Sequence, residues 1–200
     1  MENQEMNNEK SLAIIAEMLS TTRNNISEDG FHFLLWGVIL VACCLIQYVM
    51  ITFMDMLEES NNVWLVMPLV GIPLSKWHGS KKAAKRKVKT FVDDYYKYIW
   101  LGFGISLFST IFLCNVYDHS PNAFIMVITG FAVFMSGVIL KFKPLIYGSF
   151  VFWLGSFGYY FMPSNSLQLL IFAVSISLGY IIPGILLRKQ FKGQSDVQTA

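Results

Sequence analysis

His32, His78 and His119 are where metal binding or proton transfer would first be sought, because neutral imidazole is the commonest metal ligand and titrates near neutrality. Their spacing argues against both uses. They lie far apart with no HExxH pairing, and Cys43, Cys44 and Cys114 form no Cys-x-x-Cys zinc pattern. The cysteines sit inside apolar runs and read as small buried groups. Phosphate chemistry is better provided for. Lys81, Lys82, Lys85, Arg86, Lys87 and Lys89 crowd a segment, 76–97, that also holds Lys76 and Lys97 and only Asp93 and Asp94 in opposition. Cations this dense suit anionic lipid head groups. Pro73 and Pro183 each remove an amide N–H inside an apolar run and free the carbonyl one turn earlier, at Leu69 and Gly179. Such paired kinks are candidate gates in a discontinuous helix. Gln47, Asn115, Tyr160 and Gln168, with Tyr48, Tyr117 and Tyr159 nearby, are candidate lining for a vestibule in which aromatic faces hold an organic cation, although an aromatic belt with a few interhelical hydrogen bonds accounts for them better.

The elements that must position these residues follow from composition. Of 200 residues 54% are hydrophobic and 14% charged, against about 25% charged in a soluble domain. Disorder, a disulfide scaffold and an ordinary cytosolic enzyme are excluded together. A membrane-crossing helix needs about 20 apolar residues. Runs that meet this cover 31–53, 98–117, 122–140, 144–162 and 166–187, and 62–77 is a shorter candidate containing Pro68 and Pro73. Each run is continuous rather than alternating, which excludes barrel strands. The predicted fold is all-α, with six spans arranged as three consecutive helical hairpins.

Orientation follows from the loops. With all six segments crossing, every one of the 15 Lys and Arg falls on one side. Asp55, Glu58, Glu59 and Asp118 mark the other side. The positive-inside rule then puts both termini in the cytoplasm of an inner (plasma) membrane. Residues 1–30 carry Lys10 and Arg23 against Glu2, Glu5, Glu9, Glu17, Glu28 and Asp29, the opposite of a cleavable signal's basic start. Leu40-Val41-Ala42-Cys43 imitates a lipoprotein cleavage box, but the apolar run continues to Phe53. Leu12, Ile15, Ala16 and Leu19 line one face of an expected acidic amphipathic helix within 1–30, which is expected to dock on the basic loop 76–97 or on a partner. Val88, Phe91, Val92, Tyr95 and Ile99 predict a second amphipathic helix leading into the third span. Residues 188–200 form a tail on the same side.

Trp36-Gly37, Trp100-Leu101-Gly102 and Trp153-Leu154-Gly155 open the odd spans, and Gly71, Gly137 and Gly184 precede the basic ends of the even ones. The pattern suggests repeated hairpins, which interfacial anchoring by Trp and Lys/Arg also produces. Gly102/Ser106/Thr110, Ala132/Ser136 and Ser175/Gly179 are expected helix contacts, since small residues let membrane helices approach.

With Gly30-Phe31-His32-Phe33-Leu34-Leu35-Trp36-Gly37, and Lys87-Val88-Lys89-Thr90-Phe91-Val92-Asp93 leading into Trp100, residues 10–190 resemble an uncharacterised family of small bacterial multispan (six-helix) inner-membrane proteins. The resemblance implies no activity and carries over no functional residues. The residues themselves favour a non-enzyme. No span interior holds Asp, Glu, Lys, Arg or His, so proton relays and charged ion paths lack their usual parts. No nucleophile–base pair, phosphate loop or acidic metal cluster is visible, so no catalytic residue, cofactor or metal is expected. The expected role is a membrane-embedded scaffold, sensor or accessory subunit engaging membrane lipid or a protein partner through its cytoplasmic face. A homo-oligomer is compatible with the chain, and nucleic acid is not an expected partner. The alternative is a small transporter or channel for an uncharged or organic-cation solute.

Overall fold

Most positions in these runs are apolar, so helix ends are set by prolines, polar clusters and charge rather than by amphipathic period. The computed structural model describes residues 30–83 and 91–198. Among them the chain is helical and forms no strand. Helix α1 spans Gly30–Phe53, and a 3-10 turn at Glu59–Asn62 leads into α2, Val63–Ala83. Then come α3 at Phe91–Val116, α4 at Asn122–Ile139 and α5 at Lys143–Phe161. Helix α6 runs Asn165–Ile176, passes through a π-helical turn at Ser177–Ile181 and continues as Ile182–Gln198. Pro121 caps α4, and Pro144 stands in the first turn of α5, where a missing N–H costs nothing.

The all-α class is thus observed. By length and composition α1, Tyr95–Val116 of α3, α4 and Asn165–Gln190 of α6 suffice to cross a membrane. Helices α2 and α5 are long but less apolar. Pro68, Pro73, Lys76, His78 and Lys81 dilute the first. Lys143, Tyr147, Ser149, Ser156 and Tyr159 dilute the second. Helix α2 continues past the expected end at 77 to Ala83, and α3 runs unbroken from Phe91. The segment after 187 is helical to Gln198. The expected acidic helix within 1–30 lies outside the described residues.

Helix α1 lies against α6 and α2, α6 against α5, and α5 against α4, while α3 rests mainly on α4. The core therefore sits among α1, α4, α5 and α6, with α2 and α3 flanking it. Phe33, Met126, Val133, Leu145, Phe152, Ile176 and Leu187 are almost wholly buried there. The outer faces are apolar as well. Phe108 of α3 is 77% exposed and Leu154 of α5 71%, within apolar faces far larger than a water-soluble monomer tolerates. Acyl chains are the solvent such faces need.

Close contacts define two ends. At one, Gly30 lies beside the Gly184 carbonyl and Arg188, Phe31 stacks on His78, and Trp100 meets Phe33. At the other, Gln47 bonds Asn61, Thr52 bonds Ser166, and Tyr159 bonds Ser120 and Asn122. Successive helices therefore run in opposite directions. Lys76, Lys81, Lys97, Lys141, Lys143, Arg188 and Lys189 gather at the first, basic end, and Asp55, Glu58, Glu59 and Asp118 at the second.

Two of the three repeated tryptophans fill glycine notches on a neighbouring helix. Trp36 fills a notch on α2, where a Cβ on Gly71 would come within 2.6 Å of its ring. Trp153 fills the notch at Gly130 of α4 and donates to the Val127 carbonyl at 3.2 Å. Ala132, Ser136, Ser175 and Gly179 are buried contacts, as their small size predicts. Gly102 and Ser106 are not. They face outward, with nothing within 4 Å of a Cβ placed on Gly102, because α3 uses Trp100, Phe103, Leu107 and Cys114 to meet its neighbours.

Candidate functional site at the basic end

Among the described residues the basic end is built from helix termini and the α4–α5 turn. Phe31, in the first turn of α1, stacks on His78 near the end of α2 with ring centroids 3.9 Å apart and planes at 20°. His32 meets the same ring edge-on at 6.0 Å. These contacts pin the last turns of α2 to α1. One turn away, Lys81 places its Nζ 3.7 Å from the centroid of the Trp77 ring. A cation over an indole face is the strongest form of this attraction. Trp77 remains 60% exposed, so the pair stands on the surface.

The α4–α5 turn brings up more charge. Lys141 has φ of 50°, a left-handed conformation in which glycine is the easier residue. Its N–H donates to the Val138 carbonyl at 3.1 Å, and that of Phe142 to the Gly137 carbonyl at 2.9 Å, so the last turn of α4 is closed by a Schellman motif. A lysine here keeps a positive charge at a helix C-terminus, where it offsets the dipole. Among the described residues, Lys76, Lys81, Lys97, Lys141, Lys143, Arg188 and Lys189 form no ion pair with a carboxylate. Of the residues singled out for lipid or partner contact, Lys81 lies on α2 as described, and Lys82 is in its last turn. Lys85, Arg86, Lys87 and Lys89 lie outside the described residues.

The interior is different in kind. Three buried serines bond within their own helices: Ser136 donates to the Ala132 carbonyl at 2.8 Å, Ser149 to the Ile146 carbonyl at 2.6 Å and Ser156 to the Trp153 carbonyl at 2.8 Å. The two prolines occupy unlike places. Pro73 is exposed on the outer face of α2. Pro183 is buried beneath the π turn, where α5 and α6 cross. A Cβ on Gly148 would meet the Gly179 carbonyl at 2.8 Å, and one on Gly179 would meet the Gly148 carbonyl at 2.7 Å. The Gly179 carbonyl that Pro183 cannot bond is thus turned onto the backbone of α5, where Cα–H···O contact is available.

The polar residues near the acidic end do not share one chamber. Gln47 is 5% exposed and bonded on both sides of its amide. Its nitrogen donates to Asn61 Oδ1 at 3.0 Å and Ser60 Oγ at 3.4 Å. Its oxygen accepts from Trp64 Nε1 at 2.7 Å. Asn115 is exposed and donates to the Ile111 carbonyl of its own helix at 3.3 Å. Gln168 donates to the Met162 carbonyl at 3.1 Å, and Tyr160 is 80% exposed on the outer surface. Sequence reasoning missed the clamp joining Gln47, Ser60, Asn61 and Trp64. The available signal was a lone amide in an apolar run, followed by the polar cluster Ser60-Asn61-Asn62 before Trp64.

Among the described residues no three His, Cys, Asp or Glu come together to hold a metal. Ser75 Oγ and Trp100 Nε1 are buried without a hydrogen-bond partner there, each on a flanking helix. No family model matches the chain, and no curated protein or solved structure matches it, so the resemblance over 10–190 stands on its residues alone.

Proposed function

We propose that this chain is a non-catalytic, six-span protein of an inner membrane, with both termini cytoplasmic, acting as a scaffold, sensor or accessory subunit through its basic end. The observation that carries the reading is the gathering of lysines and Arg188 at one end with no carboxylate partner among the described residues. Cations held on helix ends without a carboxylate partner among the described residues attract anions, here lipid head groups or an acidic partner. The acidic helix expected within 1–30 is the partner within the chain itself. Support also comes from the interior, whose buried serines 136, 149 and 156 spend their hydroxyls on their own helices. The second reading, a small transporter for an uncharged or organic-cation solute, is favoured by the π turn beside Pro183. The close backbone contact of Gly148 with Gly179 at that point opposes it.

Single cysteines introduced at Ser80 and Ser120, in a chain lacking its native cysteines, test the orientation. Ser80→Cys is expected to react with a membrane-impermeant maleimide only after permeabilisation, and Ser120→Cys in intact cells. The reverse labelling would overturn the topology. Mass spectrometry of lipids and proteins co-purified from native membranes then separates lipid from protein engagement.

A further inference from the structure

We infer that the basic end of α2 binds one anionic phospholipid, its phosphate held by Trp77, Lys76 and Lys81 and an acyl chain laid along the outer face of the helix. The inference rests on the proposed reading of this end as a membrane-surface face. Val66, Val70, Pro73 and Trp77 follow one another at four-, three- and four-residue steps, which places them on one stripe of a helix. All are exposed, with Val66 at 50% and Trp77 at 60%. Gly71 and His78 lie on another face, turned towards Trp36 and Phe31 of α1. The stripe leads directly to Lys81, whose ammonium rests over the Trp77 ring at 3.7 Å.

That contact brings cationic and indole N–H donors together within little more than a helical turn. Among the described residues the Trp77 N–H has no hydrogen-bond acceptor, and neither Lys76 nor Lys81 has a carboxylate. Charge complementarity therefore calls for an anion, and the apolar stripe continuous with the donors calls for a hydrocarbon tail. An anionic phospholipid supplies both in one molecule. The Phe31–His78 stack holds this turn of α2 against α1, so the donors are presented on a fixed helix rather than a loop.

The test is native mass spectrometry of the full chain exchanged into nanodiscs of equal phosphatidylglycerol and phosphatidylcholine. The wild-type chain is expected to retain phosphatidylglycerol preferentially. The double variant Lys76→Gln with Lys81→Gln should lose about thirtyfold in that preference, from about fivefold per lysine at an anionic surface. Trp77→Phe, which keeps the ring and removes the donor, should lose less. Glu58→Gln with Glu59→Gln, beside the 3-10 turn at the opposite end, should leave this site occupied. Undiminished preference in the double variant overturns the inference, as does displacement of the lipid by millimolar inorganic phosphate, which would assign the site to a free anion. Should the double variant fail to fold, wild-type preference and its loss at high salt decide the matter: no preference overturns the site. Maleimide labelling reads topology independently, so an inverted topology with lipid preference intact would sink only the broader proposal.

Discussion

Gln47 is the residue whose meaning changed most once its neighbours were known. In the sequence it is a lone amide in the first apolar run, a candidate for a vestibule but better read as a belt residue making an interhelical hydrogen bond. In the structure every polar atom of its side chain is engaged, by Ser60, Asn61 and Trp64. Replacing it with Leu removes the acceptor of Trp64 Nε1 and a donor to Asn61. A buried donor left without a partner costs about 1–3 kcal/mol. Gln47→Leu is therefore expected to lower thermal stability in detergent by about that amount, measured by unfolding-coupled thiol reactivity. An unchanged melting curve would return Gln47 to the vestibule. Lys141 makes the complementary point, since it holds a left-handed turn that glycine would hold more easily. Nothing in residue type alone reveals such a cap. It takes the geometry of the α4–α5 connection to show it.

At the scale of elements, the α5–α6 crossing is the tightest constraint described. Gly148 and Gly179 bring the two backbones into contact at a π turn, and Phe152 closes over Gly179 from the same helix. Gly179→Ala would put a methyl 2.5 Å from the Phe152 ring, and overpacking of this kind costs about 1–3 kcal/mol. Gly102→Ala, with nothing within 4 Å, should instead be neutral or stabilising by about 0.5–1 kcal/mol from helix propensity. Reversible unfolding in mixed micelles distinguishes them, and equal effects would refute the assigned contacts. Much of this layer was legible beforehand. Long apolar runs, terminal prolines and the small pairs Ala132/Ser136 and Ser175/Gly179 announced helices and their contacts. Two things were not. Small residues on α3 face outward because packing is decided by neighbours, and spacing does not say which neighbours exist. The π turn arises because Pro183 removes a bond where Gly179 must also meet α5, a coincidence of two helices that one helix's sequence does not contain.

For the whole molecule, the decisive adjacency joins the first described helix to the last. Phe33 meets Tyr180 at 5.2 Å, Gly30 and Gly184 lie at the same seam, and Thr52 bonds Ser166 at 3.1 Å. A chain ending at Met162 leaves Gly37 of α1 and Gly148 of α5 without the helix that covers them. Residues 1–162 alone are expected to be degraded rapidly in a pulse-chase measurement. Co-expression of 163–200 as a separate peptide should restore them, since helices inserted independently associate afterwards. Stable accumulation of the shorter chain by itself would show that α6 is dispensable to the bundle. The site of action proposed at the basic end depends on this closure, because Arg188 and Lys189 arrive there only with α6.

That seam also sets an order in time. At about 5–20 residues per second of synthesis, α1 emerges roughly seven to thirty seconds before the helix that completes its groove. During that interval its glycine-notched face is open to any other helix in the membrane. The molecule is born with its final interface unmade, and whatever guards a newly inserted helix from strangers has that long to do so.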